Sequence, residues 1–429
     1  MKILLVLNKP NREIPIMESI KREILSINRD AVIEIKGMCA PGFNKFVFKF
    51  KPDVILTFPF TGEGCSRWYY LFKMFLGVKI ITLRAEGVVD FSNEYNVQWA
   101  VGFDTYGSTL VDCELFWGER LAQIVGQQLL QQHKLSSMKR VKVVGYPRLE
   151  AYFGHNDQYM PPLPSRIKQK LNCYKKEQII LFITGFHLAN YTKQNLFDAK
   201  DLNAENKLDE LLEAVEISKR YRSEWIANII AAANENPNAL IVVKKHPIEK
   251  RENYEALGGV SNILFIDEDI QVDEIIPYAG VFFHYGSTAL VDAYLSKTPA
   301  IYVYSLNNKQ WYPDMGWPSS LRVEVNDIPE TVKHCLSGNV LFEMTLGIKR
   351  VLKEIFNIEE GRPYKPSREI AEIILDPAPP QKVRITDLYF LKAFAVISIW
   401  TLRNSASGML RKVAPDMHRR AKNFIKKSG

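Results

Sequence analysis

The sequence predicts an α/β protein with two Rossmann-like domains, followed by a basic, amphipathic C-terminal tail. Three observations lead to this prediction. Short apolar runs alternate with amphipathic stretches, the same alternation occurs in both halves of the chain, and the positive charge is concentrated at one end. At 429 residues the chain is long enough for two ordinary domains, and 47% hydrophobic with 24% charged residues is a globular composition.

In the first half, amphipathic stretches such as Ile16–Ser26 and Leu115–Gln132 separate the predicted strands. Those strands are Ile3–Leu7, Val32–Ile35, Asp53–Phe58, Lys79–Leu83 and Val141–Val144. Short, strongly apolar strands are typical of a parallel sheet that is buried on both faces. We therefore predict a first domain over residues 1–160. It closes at the turn Gly145-Tyr146-Pro147 and the proline-rich linker 156–164.

The second half repeats this pattern over residues 165–377, with predicted helices at Asp209–Lys219 and Glu224–Asn234. Its predicted strands are Gln178–Thr184, Ala239–Lys244, Asn262–Ile266, Gly280–His284 and Ala300–Tyr304. Ligands of open parallel sheets bind beyond the carboxyl ends of the strands. We therefore expect the two domains to face a cleft that holds the chemistry, with the second as the donor-binding domain.

The last 49 residues, 381–429, form the basic tail. They contain eleven Lys/Arg and two Asp/Glu, whereas the other 380 residues contain 45 and 46. The stretch Leu388–Trp400 is too short to span a bilayer, which takes roughly 20 residues. Met417, Ala421, Phe424 and Ile425 share one helical face, as in a helix that lies in a membrane surface. A solvated helix that only aids solubility is the alternative.

Charge and cysteine usage narrow the location and the partners. A neutral body with a basic tail favours an anionic membrane surface and argues against nucleic acid as the partner. The five cysteines are scattered and contain no C-x-x-C pair, so they predict neither a disulfide framework nor a zinc site. The N-terminal apolar run is too short for a signal peptide and predicts a strand. We expect a cytoplasmic protein, peripheral on the inner face of the membrane.

Two turns at predicted strand ends are the strongest candidates for a phosphate-binding site. His246 and Pro247 follow the apolar run 240–243, and the imidazole can donate to a phosphate or a carboxylate. In the second turn, Gly286 allows a tight bend, and Ser287 and Thr288 stand at a predicted helix N-terminus, which favours an anion. The alternatives are that Ser287 only caps the helix and that His246 is structural.

With the turn Gly145–Arg148, these motifs resemble a group of GT-B glycosyltransferases of bacterial surface polysaccharides, over residues 2–305. The group includes the β-Kdo transferases and the surface carbohydrate biosynthesis proteins, and more distantly the CDP-glycerol glycerophosphotransferases. The resemblance implies that His246, Ser287 and Thr288 bind the donor nucleotide's phosphate. It also implies a cytidine-activated donor, with CMP-Kdo or another CMP-sugar first, and no metal or other cofactor. The chain lacks an unmistakable catalytic signature of the capsule Kdo enzymes.

Candidate catalytic carboxylates follow a predicted strand of the first domain. Glu86, and with less support Asp90, could act as the general base that takes a proton from the acceptor hydroxyl. The alternative is an exposed turn glutamate paired with Arg84. Glu63 also follows a predicted strand in a glycine-rich turn. Its flanking glycines could set the shape of that turn without any catalytic role for Glu63.

Further candidates lie in the second half. Lys245 and Asn190 could contact the donor, although Asn190 could instead cap its own segment. Arg148 could pair with a phosphate or bridge the domains. The acidic run 267–269 is more typical of a solvated turn than of a metal site, and Asp201, Asp209 and Glu210 are open candidates should the mechanism be retaining.

The predicted function is transfer of a sugar from a nucleotide donor to a glycan or lipid-linked acceptor in O-antigen, capsule or lipopolysaccharide biosynthesis. Three alternatives stay open at this point. They are a CDP-glycerol-type polyol-phosphate transferase, a non-catalytic protein that docks polysaccharide machinery to the membrane, and a nucleotide-sugar epimerase.

Overall fold

The computed structural model describes residues 1–8, 10–59, 63–84, 107–132, 137–154, 163–192, 208–268, 270–306 and 318–380. The chain divides into two compact units. The first contains residues 1–147 and the chain from Pro366 onward, and the second contains Arg148–Lys365. The predicted basic tail, 381–429, lies outside the described residues. No helix among the described residues is both long enough and apolar enough to cross a bilayer.

The first unit is built on a six-stranded parallel sheet in the order β2-β1-β3-β4-β5-β6. The strands are β1 Lys2–Leu7, β2 Val32–Gly37, β3 Val54–Thr57, β4 Lys79–Leu83, β5 Cys113–Phe116 and β6 Val141–Val143. Its helices are α1 Pro10–Ile27, α2 Phe43–Phe50, α3 Glu63–Leu76 and α4 Glu119–Gln131. The side chains of β3 and β4 are buried along their whole length, as the apolar runs predicted.

The second unit has its own six-stranded parallel sheet, in the order β12-β11-β10-β7-β8-β9. The strands are β7 Ile179–Ile183, β8 Leu240–Lys244, β9 Ile263–Ile266, β10 Val281–His284, β11 Ala300–Tyr304 and β12 Leu321–Glu324. The helices are α5 Ser165–Leu171, α6 Leu208–Glu235, α7 Leu290–Leu295, α8 Ile328–Leu336 and α9 Leu346–Phe356. This is the strand order of a Rossmann sheet, with β7 as its first strand.

The last described helix, α10 (Pro366–Leu375), corrects the predicted domain boundaries. The sequence placed it in a domain over 165–377, yet it belongs to the first unit, where it packs on α1. Its residues Ile370, Ala371 and Ile374 are buried, and Ser367 Oγ donates to Ser19 Oγ at 3.1 Å. The first boundary also differs, since the chain passes from one unit to the other at 147/148 and not in the stretch 156–164.

Other elements differ from the sequence-based expectation. The two helices predicted at 209–219 and 224–234 form one helix, α6, of 28 residues. Its buried residues Tyr221, Trp225 and Ile229 recur every four positions, so one apolar stripe runs through the polar stretch that suggested a break. The helices α2 and α3 and the strands β5 and β12 were not predicted, and Glu63 begins α3.

Candidate functional site

The carboxyl ends of β7 and β10 form the point of the second sheet where the strand order reverses. Ligands of doubly wound sheets bind at such a switch point. Here Gly185 follows β7 and Tyr285 follows β10. A Cβ atom added to Gly185 would lie 3.2 Å from Tyr285 Cε1, which is tighter than ordinary van der Waals contact. Glycine therefore lets the two strand ends approach each other at the switch point.

His246 lies beyond the end of the neighbouring strand, β8, and its side chain is half-buried. Its backbone N–H donates to Thr184 Oγ1 at 3.0 Å, which ties it to the end of β7. Its Nδ1 accepts the backbone N–H of Ile248 at 3.4 Å. With Nδ1 as an acceptor, the proton of the neutral ring is on Nε2, which can donate to a ligand.

A buried carboxylate, Glu249, supports this turn from behind. Its Oε2 accepts the hydroxyl of Tyr254 at 2.6 Å and also that of Thr184. Burial, followed by the charge of Glu249, raises the pKa of Tyr254. The Thr184 hydroxyl therefore donates to Glu249 while it accepts from His246, so its orientation is set from both sides. The sequence analysis missed Glu249, although a glutamate two residues after a strand-end His-Pro pair was a visible signal.

Lys245 and Asn190 also hold the His246 turn. Lys245 Nζ donates to the carbonyl oxygen of Glu249 at 2.7 Å and lies 3.0 Å from Asp267 Oδ1. Asn190 Nδ2 donates to the carbonyl oxygen of Ile248 at 3.1 Å. These contacts give both side chains a structural task, and a direct role at the donor stays a prediction. Glu268 pairs with Arg166, and no set of described His, Cys, Asp or Glu side chains is arranged to hold a metal ion.

The Gly-Ser-Thr turn after β10 is also present. Gly286 has a φ of 65°, a left-handed conformation that favours glycine. Ser287 Oγ accepts the backbone N–H of Ala289 at 3.2 Å, while Thr288 is exposed. Helix α7 begins only at Leu290. The serine hydroxyl therefore closes a local turn and does not cap α7, whose N-cap is Ala289. Phosphate binding by Ser287 and Thr288 stays a prediction.

Arg148 is held by two carboxylates of its own unit. Its guanidinium nitrogens lie 2.8 Å from Asp273 Oδ2 and 2.9 Å from Asp292 Oδ2. Asp292 is fully buried and also accepts the Tyr152 hydroxyl at 3.0 Å. Burial raises the pKa of Asp292 to about 6, although the Arg148 charge opposes the rise. These contacts lie within one unit, so the two roles left open for Arg148, pairing with a phosphate and bridging the domains, both stay predictions.

His284, the last residue of β10, is a second buried histidine that the sequence analysis did not single out. Its ring stacks on Phe282 with centroids 5.3 Å apart, and its Nε2 lies 3.5 Å from Ser319 Oγ. Among the described residues Nδ1 has no hydrogen-bond partner. Burial lowers the pKa of His284 to about 3, so the imidazole is neutral at physiological pH.

The catalytic candidates of the first unit, Glu86 and Asp90, lie outside the described residues. Arg84 immediately precedes this stretch at the carboxyl end of β4. Its Nη2 lies 2.7 Å from Glu114 Oε2 in a buried pair, and its carbonyl oxygen accepts Trp117 Nε1–H at 2.8 Å. The described partner of Arg84 is therefore Glu114 of β5, and general-base roles for Glu86 and Asp90 stay predictions.

Comparison with known proteins gives matches at the level of structure. No protein-family model matches the chain, and no curated protein has a significantly similar sequence. A histidine-to-alanine variant of the wall teichoic acid polymerase TagF is similar, with a TM-score of 0.54 and 12% identity over 87% of this chain and 88% of that one. A TagF variant soaked with CDPG gives 0.51 and 12%, over 87% of both chains.

The UDP-GlcNAc 2-epimerase of Methanocaldococcus jannaschii, in complex with UDP-GlcNAc and UDP, is similar as well. It gives a TM-score of 0.51 and 13% identity over 87% of this chain and 99% of that one. Identities this low establish the fold alone. The protein has the α/β fold predicted from its sequence, two Rossmann-like units of the GT-B type.

Proposed function

We propose that the protein is a glycosyltransferase of bacterial surface polysaccharide biosynthesis that uses a nucleotide-activated sugar. The observation that carries the proposal is the placement of His246 beyond the end of β8. There, Thr184 and Glu249 hold its turn, and its Nδ1 accepts the backbone N–H of Ile248, so that Nε2 is the donor atom of the neutral ring. A donor group fixed at this edge suits the phosphate of a nucleotide, which in Rossmann-like sheets lies beyond the carboxyl ends of the strands.

The proposed chemistry divides between the two units. As the bond from the anomeric carbon to the phosphate oxygen breaks, negative charge builds on the leaving nucleotide, and His246 Nε2–H stabilises it. Gly286, Ser287 and Thr288 supply further contacts to the same phosphate. Glu86, with Asp90 as the second candidate, takes the proton of the acceptor hydroxyl. The acceptor is a glycan or a lipid-linked saccharide.

We propose a CMP-sugar such as CMP-Kdo as the donor, on the resemblance described above. A CDP-glycerol-type polyol-phosphate transfer is the second candidate, which the fold likeness to the wall teichoic acid polymerase TagF favours. An epimerase reaction is the third, from the likeness to the UDP-GlcNAc 2-epimerase. The three reactions differ in product, because only the second leaves phosphorus in the product and only the third proceeds without an acceptor.

We also propose that the reaction needs no metal or other cofactor and that the protein works on the inner face of the cell membrane, with residues 381–429 contacting anionic lipid. Turnover is then expected to persist in EDTA. A loss of turnover that added divalent cations restore would contradict metal independence.

The test of the donor site is thermal-shift binding of CMP, CDP, UDP, GDP and dTDP to the full chain. A ligand at roughly a hundred times its Kd stabilises the native state by about 2.7 kcal/mol, which such a measurement detects. We expect CMP to stabilise most and His246→Ala to lose the shift. His334→Ala is the matched control, because His334 is an exposed histidine of the same unit on α8.

Each other result has a definite meaning. The largest shift with CDP favours the polyol-phosphate transferase, and the largest with UDP or dTDP excludes the CMP-sugar. If His246→Ala keeps the full shift, the proposed donor site is wrong. If no nucleotide binds, the protein is not a nucleotide-dependent transferase and the membrane-docking alternative takes its place.

A further inference from the structure

Most large apolar side chains of the first unit are buried, and most of the few that are exposed lie at one edge of its sheet. We call this the amino edge, because the six strands begin there. Met1 and Val32 stand at the starts of β1 and β2, and Ile27 and Phe75 lie in the last turns of α1 and α3, which lead into β2 and β4. Phe75 is 61% exposed and Val32 is 51% exposed. Among the described residues of this unit, Ile14 is the fifth exposed large apolar residue, and it lies at the opposite end of α1.

Exposed lysines also lie at this edge. Lys49 and Lys51 are exposed at the end of α2. Lys2 Nζ donates to the carbonyl oxygen of Phe50 at 3.2 Å and lies 5.7 Å from the centroid of its ring. From residue 35 to residue 52 the chain has four lysines and no acidic residue. Two exposed acids are close in the chain: Asp30, two positions before Val32, and Asp53, which accepts the backbone N–H of Lys2 at 2.7 Å.

The last described helix, α10, also ends at this edge. Lys79, the first residue of β4, donates from Nζ to the carbonyl oxygens of Ile373 at 3.3 Å and Asp376 at 3.0 Å. The end of α10 is therefore tied to the start of β4. The described residues end at Pro380, four positions beyond Asp376, and the next 49 residues carry eleven Lys/Arg. The most basic segment of the chain thus follows directly from the amino edge.

We propose that the amino edge of the first unit is a docking surface for an anionic membrane. Exposed aliphatic and aromatic side chains with lysines at the same edge suit the boundary between lipid headgroups and acyl chains, and each lysine near an anionic surface adds favourable energy. Residues 381–429 contact the same bilayer. The inference rests on the proposed membrane association of the chain and is independent of the proposed reaction.

The test uses the full chain and vesicles of phosphatidylglycerol mixed with phosphatidylcholine, with phosphatidylcholine alone as the uncharged comparison. The test variant is Lys49→Glu/Lys51→Glu/Phe75→Ser. The matched control is Lys168→Glu/Lys170→Glu/Ile14→Ser, which makes the same changes of charge and apolar exposure on α5 and at the other end of α1. All of these side chains except the half-buried Lys170 are exposed, so we expect both variants to fold.

We expect the test variant to partition onto the anionic vesicles on the order of tenfold less than the wild type, and the control to differ from the wild type much less. Hydrogen exchange of the wild type on vesicles is expected to slow in the peptides around Ile27–Val32, Lys49–Asp53 and Phe75–Lys79. Both variants should keep the wild-type thermal shift with nucleotide, which separates loss of docking from loss of the donor site.

Three results would overturn the proposal. One is equal partitioning of the test and control variants. Another is vesicle binding by the wild type without slowed exchange at the amino edge, which would leave residues 381–429 as the whole contact. The third is no binding of the wild type to anionic vesicles.

Discussion

The two units carry similar parallel sheets but differ in where their exposed apolar side chains lie. In the first unit, all of those described except Ile14 are at the amino edge, where Phe75 and Val32 are the most exposed. In the second unit, three of the seven described, Tyr191, Ile248 and Leu306, follow the carboxyl ends of β7, β8 and β11, and the others lie elsewhere. Exposed apolar surface at the carboxyl ends is where a parallel sheet binds its ligand, whereas the amino edge has no such task.

The carboxyl edge of the second sheet also rests on buried polar contacts. Glu249 fixes the hydroxyl groups that support His246, and Asp292 fixes Arg148 and Tyr152. Buried, hydrogen-bonded polar groups give a site a defined geometry, at the cost of high sensitivity to substitution. The carboxyl edge of the second sheet is therefore suited to a small ligand, whereas the amino edge of the first unit is suited to the proposed membrane surface.

The largest effect on this comparison is expected from Asp292→Ala. The substitution removes one of the two carboxylates paired with Arg148 and an acceptor of the Tyr152 hydroxyl. We expect the free energy of unfolding to fall by about 3–5 kcal/mol, as when one partner of a buried ion pair is removed. Hydrogen exchange of each unit checks this, because protection should fall in the second unit only. Arg350→Ala, at the exposed pair with Glu354, is the control and should cost less than about 1 kcal/mol.

A pH titration sharpens the comparison within the second sheet. The pKa of His284 is lowered from 6.5 to about 3, so between these values the unfolded chain binds more protons than the native state. Native stability therefore falls as the pH falls from 6.5 towards 3, by about 3 kcal/mol at pH 4.5. His284→Phe removes this contribution. Between pH 7 and pH 4.5, the melting temperature of the variant should therefore fall less than that of the wild type. Asp292 titrates in both proteins, so the difference between them isolates His284.

A smaller effect is expected from Thr184→Val. The change removes the acceptor for the His246 N–H and one donor to Glu249, and a lost buried hydrogen bond costs about 1–3 kcal/mol. We expect nucleotide affinity to fall as well, on the order of tenfold, because the His246 turn loses its tie to β7. Calorimetric titration with CMP and CDP measures this. Thr331→Val, whose hydroxyl bonds a carbonyl on the exposed side of α8, should leave affinity unchanged.

The smallest effect on stability is expected from Ile248→Ser, which tests the apolar surface itself. Ile248 is 65% exposed, so its loss should change the unfolding free energy by less than about 0.5 kcal/mol. If this side chain contacts the nucleotide donor, affinity falls several-fold in the same titration. Leu346→Ser is the control, since Leu346 is exposed at the start of α9. Equal nucleotide affinities of the two variants would show that the exposed apolar surface at Ile248 does not contact the ligand.

The sequence predicted the strands whose residues are mostly apolar. Lys79–Leu83 and Ala300–Tyr304 match β4 and β11 residue for residue, because a strand buried on both faces is rich in apolar residues. The strand β5 was missed because its run Cys113–Phe116 contains Glu114, whose charge is buried against Arg84. The edge strand β12 was missed because Leu321–Glu324 alternates apolar and charged residues. The ion pair that buries Glu114 and the edge position of β12 depend on tertiary structure, and neither can be recognised from the local sequence.

The candidate site was predictable in part for the same reason. The His-Pro and Gly-Ser-Thr turns stand at strand ends in the sequence, and the structure has them there. The partners of Lys245, Arg148 and Ser287 were not predictable. Whether a basic or hydroxyl side chain faces a ligand depends on carboxylates and backbone groups from elsewhere in the chain, such as Asp267 for Lys245 and Asp292 for Arg148.

The length of the strands in the first unit sets a distance with chemical meaning. Six residues of β1 at about 3.3 Å each separate the amino edge from the carboxyl edge by roughly 20 Å. If the amino edge rests on the bilayer, an acceptor that reacts at the carboxyl edge must carry its hydroxyl about that far above the headgroups. A single sugar attached to a lipid does not reach so far, whereas a chain of several sugars does. Docking at this edge would therefore select for acceptors that have already been extended, and against the first transfer onto a bare lipid carrier.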